Sequence, residues 1–120
     1  MRSILIIEDE SALQKTIGDA LSQEGFQTFS ALDGEVGLRL AAEKLPDMIL
    51  LDLILPKVNG FEVLKSLKKQ KETQDIPVVV LTNLESMEDI QKALDLGATT
   101  YLVKSNYTLQ ELVEKVQKAV

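Results

Sequence analysis

Five side chains along this 120-residue chain have the types needed for joint chemistry: the acidic pair Glu8-Asp9, then Asp52, Thr82 and Lys104. Asp52 is the strongest single signal, because in MILLDLILPKVNG, residues 48–60, it interrupts an apolar run and stands ahead of Pro56 and Gly60. A lone charge in such a place is costly to desolvate unless a cation, a donor or a proton accompanies it. Three acids gathered at one edge favour a hard divalent cation bound by oxygen, Mg²⁺ or Mn²⁺. An added lysine and threonine favour an anion as well, since an ammonium neutralises phosphoryl oxygens and a hydroxyl donates to them. With a carboxylate as nucleophile, the set fits phosphoryl transfer onto Asp52 to make an acyl phosphate, a reaction that positioning and charge neutralisation can largely catalyse. The chain has neither histidine nor cysteine, so thiolate sites are excluded and any metal must be held by oxygen, which points to Mg²⁺, Mn²⁺ or Ca²⁺ rather than zinc. No histidine base is required, because a carboxylate is already ionised at neutral pH.

Each residue alone has a plainer reading. Glu8-Asp9 suits a helix N-terminus, Thr82 a cap, Lys104 a solvated surface, and a strand-end aspartate can simply satisfy local backbone donors. Joint placement separates the readings, so the elements that position the five matter. Short runs rich in β-branched residues and leucine fall at residues 4–7, 27–31, 48–53, 76–81 and 99–103. Segments of helical period lie between them, the first with Leu13, Ile17, Ala20 and Leu21 on one face and Gly25 at its end. Asp33 can cap the second helix, which must stop before Pro46. Asn59 with Glu62, Ser86 with Asp89, and Thr108 with Glu111 mark three further helix starts, and the polar stretch 68–75 reads as a helix end and loop. Strands such as Val78-Val79-Val80-Leu81 do not alternate in polarity, as expected where helices cover both faces of a parallel sheet. In such a sheet sites form beyond the carboxyl ends of the strands, where Glu8-Asp9, Asp52, Thr82 and Lys104 all fall.

Length and patterning predict a single domain over residues 1–120 with a core of its own. Thirteen basic against nineteen acidic residues give a net charge of −6, which argues against direct nucleic-acid binding by this domain. No apolar run approaches the length that spans a bilayer, and a cytoplasmic location is the expectation.

Glu8-Asp9, Asp52 with Pro56 and Gly60 behind it, Thr82, Tyr101 and Lys104 stand in the order and approximate spacing of the receiver domains of bacterial response regulators. Over essentially its whole length the chain resembles that family. The resemblance implies a (βα)₅ flavodoxin-like fold, a three-layer α/β sandwich whose parallel sheet has strand order 2-1-3-4-5. It also implies that Asp52 accepts phosphate from a histidine kinase or a histidine phosphotransfer protein. By the same resemblance Asp9, Asp52 and the Ile54 carbonyl would hold Mg²⁺, with Glu8 reaching it through water. Lys104, the Thr82 hydroxyl and backbone N–H groups near Ile54 and Asn83 would hold the phosphoryl oxygens. Thr82 and Tyr101 would form the switch, changing the surface of residues 86–119 for a downstream protein, a fused output domain or a second phosphorylated copy.

Three positions depart from the family pattern. Lys104 is followed by Ser105 rather than proline. A cis bond before a non-proline costs roughly 2.5–4 kcal/mol, so a trans peptide is expected there, which puts the approach of Lys104 in question. Asn83 replaces a small residue, adding bulk or a donor beside the pocket. Ile54 and Leu84 are both apolar and cannot orient an attacking water, which predicts slow hydrolysis of phospho-Asp52. Two rivals stand beside the phosphoacceptor reading: a Mg²⁺-dependent phosphatase working through an aspartyl phosphate, which would want an acid at position 54, and a phosphorylation-independent binding module.

Overall fold

The computed structural model describes residues 2–120. Five strands alternate with five α-helices: β1 (Ser3–Ile7), α1 (Ser11–Gln23), β2 (Gln27–Ala31), α2 (Gly34–Lys44), β3 (Met48–Leu51), α3 (Gly60–Lys69), β4 (Val78–Thr82), α4 (Met87–Asp95), β5 (Thr100–Val103) and α5 (Leu109–Ala119), with a 3₁₀ turn at Lys104–Asn106 before α5. The strands form one sheet in the order β2-β1-β3-β4-β5, and every pairing is parallel. This is the expected (βα)₅ arrangement.

Side chains of successive strand residues point to opposite faces, and along the central strands β1, β3 and β4 both faces are buried. Leu5, Ile7, Ile49, Leu51, Val78 and Val80 pack under α2 and α3 with Val63, Leu64 and Leu67. Ile4, Ile6, Leu50, Val79 and Leu81 pack on the other face with Ile17 and Leu21 of α1 and Leu112, Val113 and Val116 of α5. A buried Leu, Ile or Val contributes roughly 1.5–3 kcal/mol, so these two half-cores hold the strand ends in fixed register. That rigidity positions the site.

The expected caps form. Asp33, Asn59, Ser86 and Thr108 each accept a backbone N–H three residues on, and Thr108 with Glu111 closes a reciprocal capping box. Strand limits differ from expectation at β3 and β4. The Asp52 N–H still donates to the Ile7 carbonyl at 3.0 Å, but Gly60 then donates to Leu53 at 2.9 Å and turns the chain out of the sheet. Ile76 is engaged in a turn with Thr73 instead, at 3.0 Å, so β4 starts after Pro77 and runs on to Thr82, which pairs with Val103. The stretch 68–75 is less loose than its polarity implies. Thr73 is fully buried with its hydroxyl donating to the Leu67 carbonyl at 2.7 Å, and Lys68 donates to the carbonyls of Gln74 and Ile76.

Helix α2 ends on Leu45 in the left-handed region, φ 45°, with its side chain largely exposed. A branched side chain is strained there and little burial would be lost with it. Leu45→Gly is expected to stabilise the domain by about 0.5–1 kcal/mol, after allowance for glycine's greater unfolded freedom. The check is a higher urea midpoint at unchanged slope. Among the described residues no helix is long and apolar enough to cross a membrane.

Candidate functional site

The carboxyl ends of β1, β3, β4 and β5 converge as expected. Glu8 follows β1 and is only 3 % exposed; Asp52 follows β3 and is 5 % exposed; Thr82 closes β4 and is fully buried. Asp9 stands exposed beside them. Lys104, directly after β5, reaches in: its Nζ lies 2.7 Å from Glu8 Oε1 and 2.9 Å from Asp52 Oδ2. The Lys104–Ser105 peptide is trans, since the described backbone contains no cis bond. Lys104 therefore enters the acid cluster without the proline that usually follows it, and the 3₁₀ turn carries the chain away behind it.

The remaining carboxylate oxygens are also engaged. Glu8 Oε2 accepts the Glu10 N–H at 3.0 Å, and Asp52 Oδ1 accepts the Ile54 N–H at 3.2 Å. Burial pushes the Glu8 carboxyl above its ordinary range and the Asp52 charge adds to that, while hydrogen bonds from Lys104 and Glu10 pull partly back. For Lys104 burial acts downward, but the hydrogen bonds to Glu8 and Asp52 outweigh it and the ammonium is held more firmly than usual. The shorter of the two lysine contacts is to Glu8, and the ammonium bridges both carboxylates.

Thr82 and Tyr101 meet at one backbone point. Tyr101 Oη donates to the Leu84 carbonyl at 2.7 Å, and the Leu84 N–H lies 3.5 Å from Thr82 Oγ1. Burial, then the charges of Asp89 and Asp52, push the Tyr101 phenol up to about 12, so it remains a donor at any physiological pH. Asn83 is exposed beside Thr82, and Ile54 is exposed beside Asp52. Two buried polar residues escape the motif reading, Thr73 at the exit of α3 and Gln14. Gln14 lies on α1 at helical spacing from Ile17 and Leu21, and a polar residue on an apolar stripe is the signal that could have flagged it.

Glu8, Asp9 and Asp52 each offer a carboxylate oxygen, and these atoms all lie within 4.8 Å of one another. An all-oxygen set of this size with one exposed member fits a hard divalent cation that keeps part of its water shell.

An acid cluster with a bridging lysine, set at the carboxyl edge of a doubly wound parallel sheet, defines a receiver-type α/β domain. The chain belongs to the response regulator receiver domain family, whose model matches residues 4–117. It is similar to the DNA-binding dual master transcriptional regulator RpaA of Synechocystis, at 39% identity over 98% of this chain and 48% of that protein. Among solved structures it is similar to the chemotaxis protein CheY4 of Vibrio cholerae, at TM-score 0.92 and 28% identity over 100% of this chain and 99% of that one. It is also similar to the Mn²⁺-bound form of response regulator Rcp1, at TM-score 0.81 and 31% identity over 98% of this chain and 91% of that one. The chain spans about half the length of the curated relatives it matches.

Proposed function

We propose that this receiver domain, residues 1–120, is a phosphoacceptor in two-component signalling and that Asp52 carries the phosphoryl group. The single observation that carries the reading is Lys104 Nζ at 2.9 Å from Asp52 Oδ2, an ammonium placed to neutralise charge on a group attached to that carboxylate. Glu8, Asp9, Asp52 and the Ile54 carbonyl would hold Mg²⁺ or Mn²⁺, which would supply charge neutralisation for incoming phosphoryl oxygens.

The phosphoryl donor would be a phosphohistidine of a kinase or phosphotransfer protein. An Asp52 oxygen attacks phosphorus, the P–O bond forms as the P–N bond breaks, and the imidazole leaves with a proton. Lys104 and the Thr82 hydroxyl, with N–H groups near Ile54 and Asn83, then hold the phosphoryl oxygens. For Thr82 to turn toward them, its weak contact with the Leu84 N–H must be given up, and Tyr101 grips that same residue through its carbonyl. Coupling through Leu84 would carry the change to α4, β5 and α5, the face offered to a downstream protein, a fused output domain or a second copy. About 1–3 kcal/mol of coupling is typical of such switches. Ile54 provides no general acid at the position where a phosphatase would want one, which favours a stored acyl phosphate over turnover.

Incubation with Mg²⁺ and phosphoramidate should add one phosphoryl group by intact mass, and the adduct should be absent in Asp52→Asn. Failure to form it would leave the binding-module reading; continuous phosphate release would favour the phosphatase. Ile54, 54 % exposed, and the half-buried Leu84 flank the path of an attacking water without a group to orient it. Slow decay of the adduct is therefore expected. Ile54→Asn with Leu84→Glu should speed it by about ten-fold, less than the roughly 10²–10⁴-fold of a fully positioned general acid or base, because both new side chains stand at a solvent-accessible edge. An unchanged decay rate in that double variant would contradict the explanation.

A further inference from the structure

Five polar or charged side chains are buried among the described residues. Glu8, Asp52 and Thr82 belong to the site, and Thr73 ties the exit of α3 through Leu67. Gln14, 9 % exposed, remains. Its Nε2 donates to two main-chain carbonyls at once, Ala31 at 2.8 Å and Glu8 at 3.2 Å. Both partners are acceptors, so the amide group itself must face them. Ala31 also accepts the Glu8 N–H at 3.0 Å. Gln14 thus extends the β1–β2 ladder by one side-chain rung beyond the point where the strands end.

The rung sits at the exit from the sheet into α1. Between Ile7 and Ser11 the backbone must leave the sheet and enter α1, and Glu10 at the N-cap makes no side-chain capping bond. Glu8 is held at its N–H by Ala31, at its carbonyl by Gln14, and at its two carboxylate oxygens by Lys104 and the Glu10 N–H. The exposed Asp9 depends on the main chain to either side for its place. We propose that Gln14 is a positioning residue for the acidic pair: by pinning the Glu8 carbonyl to the end of β2 it holds Glu8 and Asp9 where they can share a divalent cation with Asp52. The inference rests on the reading of the site as a divalent-cation centre.

Gln14→Met keeps the length and volume of the side chain and removes the donor. Titrated with MgCl₂ alone by calorimetry, well below the melting temperature, it should bind about ten-fold more weakly than the parent chain, the scale typical for loss of a partner that orients a ligand. Gln14→Asn, too short to span both carbonyls, should also weaken binding and serves if the methionine variant does not fold. Thr73→Val removes a comparable buried hydrogen bond remote from the acids. It should lower the melting temperature and leave Mg²⁺ affinity unchanged. Parental affinity in the folded Gln14 variants, or an equal loss in Thr73→Val, would overturn the proposal. No Mg²⁺ uptake by the parent chain would instead overturn the cation reading on which it rests.

Discussion

Lys104→Met is expected to lower stability by about 3 kcal/mol at neutral pH and to cut the rate of phosphoryl acceptance by about 10²–10³-fold. The lysine is the cation that touches two nearly buried carboxylates, and methionine restores its bulk without its charge. Breaking a buried pair costs about 3–5 kcal/mol, and the low end applies because the Lys104 side chain keeps 16% exposure and water can reach the gap. A second change separates the two effects. Glu8 has a raised pKa, so its ionisation consumes stability as pH rises through that value, and Glu8→Gln removes the cost. The double variant Lys104→Met with Glu8→Gln should therefore regain most of the lost stability in urea unfolding, yet remain a poor phosphoacceptor. Pairing raises the Lys104 pKa, so its contribution to the parent chain is fully present below the ordinary value of 10.5 and is lost only as pH climbs through the raised value. Strictly additive stability changes in the two single variants would contradict a shared electrostatic cluster.

Gly60→Ala should destabilise by about 3 kcal/mol although alanine is the better helix former. Gly60 opens α3, and a Cβ there would lie 2.3 Å from Leu53 Cα and 2.5 Å from the Asp52 carbonyl oxygen. Helix propensity returns only about 1 kcal/mol. The obstructing atoms are backbone, which cannot step aside as a flexible side chain would, so overpacking wins. The segment that must give way is the one that carries Asp52, and divalent binding should weaken together with stability. An alanine variant as stable as the parent would show that the loop between β3 and α3 yields more readily than its contacts imply. The same geometry explains the spacing of Asp52 and Gly60: the chain leaves the sheet at the aspartate and returns to within van der Waals distance at the glycine.

The elements were legible because their signals agree. Apolar runs such as Val78-Val79-Val80-Leu81 mark strands covered on both faces, and Asp33, Asn59, Ser86 and Thr108 announce helix starts that form as written. The convergence of Glu8, Asp9, Asp52, Thr82 and Lys104 follows from topology, since in a parallel sheet every strand delivers its last residue to the same edge. Less legible were features set by distances across the fold. Sequence order does not reveal that Lys104 lies nearer Glu8 than Asp52, because both contacts join residues far apart in the chain. Ser105 in the proline position left the lysine's approach open, and its trans geometry with an intact contact answers that. Gln14 is hard to read from sequence because a single glutamine on a helix is ordinarily solvated; its contacts exist only where α1 passes the end of β2. Thr73 and Lys68 were hidden in a stretch that reads as loop by composition, yet they lock that loop to α3.

The most direct test of the account is to locate the transferred group. The chain is treated with Mg²⁺ and phosphoramidate, quenched with borohydride, which reduces an acyl phosphate to an alcohol, and mapped by peptide mass. Homoserine at position 52, dependent on the phosphodonor and formed about 10²–10³-fold more slowly in Lys104→Met, is the result predicted. Reduction at Glu8 or Asp9 instead, or no donor-dependent alcohol anywhere, would contradict it.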